Sequence, residues 1–226
     1  MTLQPSSLLL GGKELTVYDA PAPTHLLLQP CDEHDLEAIP QEMETISQSV
    51  PEPFSLYALH VEDWFSELSP WAAPPVFGKQ AFGDGAAATL TAITHNILPE
   101  LNRQHPGLPI ILGGYSLAGL FALWAGYTCS AFDAIAAASP SVWFPGWLPF
   151  ASAHTMQARA VYLSLGDKEP QTRNAQMSTV GDALTAQAEL LRAESKECTM
   201  EWNQGGHFRD SGPRTGKAFA WCMQHC

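Results

Sequence analysis

Three residue types that together perform acyl transfer stand at intervals along the chain. Ser116 follows the apolar run Ile110-Ile111-Leu112-Gly113 and lies within Gly114-Tyr115-Ser116-Leu117-Ala118-Gly119. A buried strand that turns into a helix at a serine is the setting of a nucleophile elbow, which holds the hydroxyl out on a strained backbone. Such a turn needs small neighbours. Gly114 and Ala118 flank the serine at two residues on either side, and Gly119 lets the helix approach the sheet. The pattern departs from Gly-x-Ser-x-Gly in having Ala118 at the second glycine. The plain alternative is an ordinary β-to-α turn with Ser116 as a helix cap. A helix N-terminus also offers free N–H groups to a developing oxyanion, and the Leu117 N–H is the nearest one.

A serine nucleophile needs a base. His207 lies in the glycine-rich stretch Asn203-Gln204-Gly205-Gly206-His207-Phe208-Arg209, after the last apolar strand. A loop there can fold back over the serine. His25, His60, His95, His105, His154 and His225 fall in strands, helices or the tail and read as structural. The base in turn needs a carboxylate to fix its tautomer and balance the imidazolium. The apolar run 159–165 reads as a strand, and the turn after it carries two acids, Asp167 and Glu169. Glu169 is favoured because it stands deeper in the turn. Asp167 stays open as the alternative, since a short carboxylate beside a strand end can equally shape the turn. Serine, acid and histidine then occur in the chain order of an α/β-hydrolase triad.

The elements must bring these three together. Leu8–Tyr18 reads as an antiparallel hairpin turned at Gly11-Gly12. Strands are expected at 25–29, stopping at Pro30, and at 54–61, 109–113, 134–138, 159–165 and 198–203. Helices are expected within 35–50 (with Pro40 in its first turn), 86–104 (bent or ended by Pro99), 117–127, 177–191 and 215–225. Alternating strands and helices imply a mostly parallel sheet covered on both faces. Each candidate residue follows a strand, so all three fall along one sheet edge. The second oxyanion donor comes from the loop after the 25–29 strand (Cys31 or Asp32) or from Glu62-Asp63-Trp64. Trp64, Trp71, Phe77, Trp143, Phe144 and Trp147 either wall an apolar pocket or pack under loops.

Composition narrows the partners. The chain has 226 residues, one domain by length, with no linker or repeat. Only 15% of residues are charged and the net charge is −12. That argues against nucleic acid and against a polybasic membrane anchor. No apolar stretch approaches the roughly 20 residues that span a bilayer. Five cysteines without regular spacing read as reduced thiols, so a cytoplasmic location is expected. Cys222, His225 and Cys226 lack a second ligand pair for zinc, and Asp32-Glu33-His34-Asp35 reads as helix capping, so neither metal nor cofactor is expected.

Four segments resemble the esterase D-like, enterochelin esterase-like family of α/β-hydrolases. They are Gly-Tyr-Ser-Leu-Ala-Gly at 114–119, Ala-Ser-Pro-Ser-Val-Trp at 138–143, Leu-Gly-Asp-Lys-Glu at 165–169 and Gly-Gly-His-Phe at 205–208. The second half of the chain carries the match; the first half fits only in strand order. The resemblance implies an α/β-hydrolase fold and a serine hydrolase using Ser116, His207 and an acid in the 167–169 turn, with a small-molecule ester as substrate. A related acyltransferase or thioesterase, or a silent binding protein of the same fold, are the alternative readings. The length leaves no room for a large cap domain, so any lid must come from 62–85 and 141–155. The negative balance favours a neutral ester. For an anionic one, Arg173 and Arg209 are the nearest cations in sequence.

Overall fold

The computed structural model describes residues 3–226. Its sheet begins with a hairpin, β1 (Pro5–Leu10) and β2 (Lys13–Tyr18), turned at Gly11 and Gly12, both at positive φ. The other strands are β3 (His25–Cys31), β4 (Phe54–His60), β5 (Ile110–Tyr115), β6 (Ala134–Ala138), β7 (Ala160–Gly166) and β8 (Glu197–Asn203). Their spatial order is β1-β2-β4-β3-β5-β6-β7-β8. Every pairing from β4 to β8 is parallel, and only the β1–β2 and β2–β4 pairs are antiparallel.

Side-chain alternation sorts the strands onto two cores. Leu26, Leu28, Ile110 and Leu112 face one core with α5 (Ser116–Thr128) and α7 (Val180–Ala193). Leu27 and Ile111 face the other with α1 (Glu33–Ser49) and α8 (Ser211–His225). Each fully buried leucine or isoleucine contributes about 1.5–3 kcal/mol. The sandwiching of a parallel sheet explains why β5 and β6 are apolar throughout rather than alternating.

Several expected boundaries move, for local reasons. β3 runs through Pro30 to Cys31 instead of stopping before the proline. Its ladder with β5 ends at Leu28↔Leu112. Pro30 shares strand parity with Leu26, whose N–H donates toward β5 at Pro109 O, 3.0 Å. The missing N–H of Pro30 therefore faces a side with no partner strand. Pro40 lies inside α1, not in its first turn, on the exposed face. The 86–104 helix is not ended by Pro99. It continues from α3 (Ala86–Ala92) through a π turn (Ile93–Ile97) into α4 (Leu98–Gln104). The π turn adjusts the backbone just before the residue that cannot donate. Leu90, Ile93, Ile97 and Leu101 all remain buried. Two short helices were not foreseen: α2 (Trp64–Glu67) and α6 (Trp147–Ala153).

Candidate active site

The parallel register gathers the candidate residues. Tyr115 pairs with Ala138, Ala138 with Ser164, and Gly166 with Asn203, so β5 to β8 end at one sheet edge. Ser116 is the next residue after β5 and the first of α5, at φ 57°. A non-glycine residue held in the left-handed region costs on the order of 1–3 kcal/mol, compensated by its surroundings. The neighbours leave no spare room: a Cβ on Gly114 would stand 2.6 Å from the Ala118 Cβ.

Glu169 begins a short 3₁₀ turn three residues past β7, and His207 lies four past β8. His207 Nε2 is 2.9 Å from Ser116 Oγ, and His207 Nδ1 is 2.7 Å from Glu169 Oε2. The other carboxylate oxygen, Oε1, accepts from the Gly166 N–H at 2.7 Å, the Ser139 hydroxyl at 2.8 Å and Arg214 Nη1 at 3.1 Å. The Leu-Gly-Asp-Lys-Glu spacing thus has a steric reason. A Cβ on Gly166 would meet Gly205 O at 2.3 Å and Glu169 Oε1 at 2.9 Å.

Asp167 occupies a different place. Its Oδ1 accepts from the Gly205 N–H at 2.7 Å, and its own N–H donates to Asn203 O at 2.8 Å. With Lys168 N–H donating to Gly205 O, it fastens the acid turn to the histidine loop. Of the two acids, Glu169 alone reaches the imidazole.

The cavity over Ser116 has a volume of about 410 Å³. Among the aromatics expected near it, Trp64, Phe77 and Trp143 line it, joined by Phe65, Phe82 and Phe208. The 62–85 and 141–155 segments therefore form its walls. Trp71, Phe144 and Trp147 pack elsewhere: the Trp71 indole donates to Pro145 O at 2.8 Å and the Trp147 indole to Gln187 at 3.0 Å. Among the described residues, no lysine or arginine lines the cavity, while Asp32 and Asp35 do. Burial first, and the Asp32 carboxylate second, push the Asp35 carboxyl up to about 7. Arg173 is exposed and off the cavity, and Arg209 pairs with Asp210 at 3.2 Å. Neither offers an anion-binding site there.

Leu117 lines the cavity beside Ser116, at the start of α5 where backbone N–H groups lack helical partners. In the loop after β4, Trp64 lines the cavity, while two of its neighbours are already engaged. Glu62 and Asp63 N–H groups already donate to Glu67 Oε1 at 2.9 and 3.0 Å. The loop after β3 reaches the cavity through Asp32, whose side chain caps α1 by accepting from Asp35 N–H at 2.9 Å. At the C-terminus, the Cys222 thiol is directed at Ile135 O and His225 Nδ1 at Trp221 O.

Four residues of the site were not singled out as site residues in the sequence. Ser139, at φ 43°, donates to Glu169, and Ser141 Oγ stands 3.4 Å from Ser116 Oγ. Both belong to the 138–143 segment, so that motif was the available signal. The Tyr115 hydroxyl donates to His207 O at 2.6 Å, and burial pushes its phenol up to about 12, keeping it a donor. Arg214 has no motif around it and could be found only from the packing of α8.

No protein-family model and no curated protein matches the chain. Solved structures do. The siderophore hydrolase EstB from Aspergillus nidulans superposes with a TM-score of 0.74 at 19% identity, over 97% of this chain and 94% of that one. EstA, a siderophore hydrolase from the same organism, gives 0.68 at 19% identity over 100% and 95%. The enterobactin esterase FES from Shigella flexneri gives 0.66 at 19% identity over 99% of this chain, which spans 60% of that protein. Sheet order, strand direction and these superpositions agree: the chain has the α/β-hydrolase fold.

Proposed function

We propose that this chain is a serine carboxylesterase acting on a neutral ester with an apolar or aryl group. The observation that carries the reading is His207, bridging Ser116 Oγ at 2.9 Å and Glu169 Oε2 at 2.7 Å. Ser116 Oγ attacks the ester carbonyl as His207 Nε2 takes its proton. Glu169 accepts from Nδ1–H, which leaves Nε2 free to act as the base and balances the imidazolium formed. The Leu117 N–H, with the Asp32 N–H as second donor, holds the oxyanion. On collapse the carbonyl–alkoxy bond breaks and the alkoxide leaves with the proton from His207. Water then attacks the acyl-enzyme by the same route in reverse, releasing the acid and restoring Ser116. The aromatic walls and the absence of a lining cation among the described residues support a neutral substrate.

A fluorophosphonate probe tests the reading. It should label the native protein and not Ser116→Ala; equal labelling of both would remove Ser116 as nucleophile. A panel of p-nitrophenyl esters of increasing chain length, with aryl and siderophore-like esters, should then show preference for apolar acyl groups.

A further inference from the structure

Arg214 is a side chain the mechanism above does not use. It lies in the first turn of α8 and is 2% exposed. Its Nη1 contacts Glu169 Oε1 at 3.1 Å, Tyr115 OH at 3.1 Å and Ser139 Oγ at 3.4 Å, and its Nη2 donates to Gln204 O at 3.1 Å. The guanidinium therefore reaches both halves of the constellation. It touches the acid directly, and it holds the histidine loop through Gln204 O and through Tyr115, whose hydroxyl donates to His207 O.

The charges around Glu169 give this contact a specific meaning. The carboxylate is 5% exposed. Facing it are the Gly166 N–H, the Ser139 hydroxyl, Arg214 and His207, with Tyr115 beyond Arg214; Asp167 and Lys168, beside it in the turn, are exposed. With His207 neutral, Arg214 is the one permanent cation on it among the described residues. A carboxyl group so far from water, without a compensating cation, gains from binding a proton. A protonated Glu169 would donate to Nδ1. The neutral imidazole would then carry its hydrogen on Nε2, pointing a donor at Ser116 instead of an acceptor.

We infer that Arg214 is a positioning residue that holds Glu169 in its acceptor form and so selects the His207 tautomer able to deprotonate Ser116. The inference rests on the esterase reading. It differs from a plain structural ion pair, which would fix the fold without governing which imidazole nitrogen carries the proton.

The test uses the full chain with Arg214→Met, Arg214→Gln and Arg214→Lys. The rate of Ser116 labelling by a fluorophosphonate, per folded molecule, is followed from pH 6 to 10. The downfield proton resonance of the His207 Nδ1–H is recorded in parallel. Arg214→Met and Arg214→Gln should label about 100-fold more slowly near neutral pH, a fraction of what the wrong tautomer costs in such triads. Their labelling should recover at high pH, where the tautomer with its hydrogen on Nδ1 is restored. Arg214→Lys keeps the charge and should retain the native profile and resonance. A uniform loss with an unchanged profile, or equal losses in Lys and Gln, would overturn the inference, as would unaltered labelling. If Arg214→Met does not fold, the Lys and Gln pair decides. Native protein that fails to label, or labels equally as Ser116→Ala, defeats the esterase reading instead.

Discussion

Glu42 offers a measurement of what burial does to a carboxyl group in this fold. It lies on the inner face of α1, 2% exposed, and its Oε2 accepts from Gln29 Nε2 at 3.1 Å. Glu42 Oε1 and Gln29 Oε1 have no partner among the described residues. Both oxygens are acceptors unless Glu42 holds a proton, which supplies the donor the pair lacks. Burial pushes its carboxyl up to about 8 from the ordinary 4.5, with Asp35 adding and the Gln29 bond opposing. The folded state then keeps a proton that the unfolded state releases, so stability is highest at or below pH ~4.5 and falls until pH ~8. At about 1.4 kcal/mol per pH unit the full loss is roughly 4–5 kcal/mol, and roughly 3 kcal/mol of it is present by pH 7. Glu42→Gln removes the charge, keeps the acceptor for Gln29 Nε2 and adds an N–H₂ for Gln29 Oε1. The variant should match the native protein within about 1 kcal/mol at pH 5 and exceed it by roughly 3 kcal/mol or more at pH 8. For a chain of this length that is a rise of roughly 6–12 °C in Tm. Asp35 shares the same direction and part of the window, so the variant-minus-native difference is the quantity to follow, by urea unfolding at pH 5, 6, 7 and 8. A difference that does not change with pH, or a less stable variant at pH 8, would refute the reasoning.

Glu169→Ala should lower kcat/KM by roughly 1,000- to 10,000-fold, while Asp167→Ala, which loosens a loop fastening, should cost roughly tenfold or less. Steady-state kinetics on one ester decides, and the reverse ranking would transfer the acid's role to Asp167. Gly114→Ala puts a methyl 2.6 Å from the Ala118 Cβ, and overpacking of this kind costs typically 1–3 kcal/mol, here at the elbow itself. Adding Ala118→Gly should restore part of the lost labelling by fluorophosphonate; an unimpaired single variant would show the elbow to be looser than its geometry. Burial pushes the thiols of Cys31 and Cys222 well up, so both should resist iodoacetamide at pH 8 until the chain unfolds. Mass spectrometry of the native adducts would expose the error if either is alkylated early.

The parts of this fold legible in the sequence are those fixed by local pattern. An apolar run entering Gly-Tyr-Ser-Leu-Ala-Gly specifies strand, turn and helix together, and β5 and α5 occupy the expected places. The hairpin at Gly11-Gly12 needs only its two positive-φ glycines. Prolines misled where their surroundings absorbed them. Pro30 faces a side without a ladder, and Pro99 follows a π turn, facts set by neighbours far along the chain. The choice between Asp167 and Glu169 could not close locally either, because both acids bind the 203–207 loop. One takes its backbone and the other its imidazole. Arg214 was hidden most completely. Arg209 and Arg173 are closer to sequence landmarks, but only the packing of α8 under the sheet edge puts a guanidinium behind the acid.

Glu169 and Glu42 are both buried carboxyl groups, and burial alone does not tell them apart. Both lie within the same half of the molecule around Tyr115 and α8. They differ in what faces them. Glu42 has one amide donor and an orphaned oxygen. Glu169 has a backbone N–H, a hydroxyl and a guanidinium on one oxygen, leaving the other to the imidazole. A lone amide cannot offset the removal of a full charge from water, so Glu42 is better accommodated neutral. Three donors, one of them cationic, can offset much of it, and they do so on the oxygen that the histidine does not use. That division leaves one oxygen of a buried carboxyl group free for the imidazole. The cost falls on the fold, which must bring β5, β6, β7, the histidine loop and α8 to a single point.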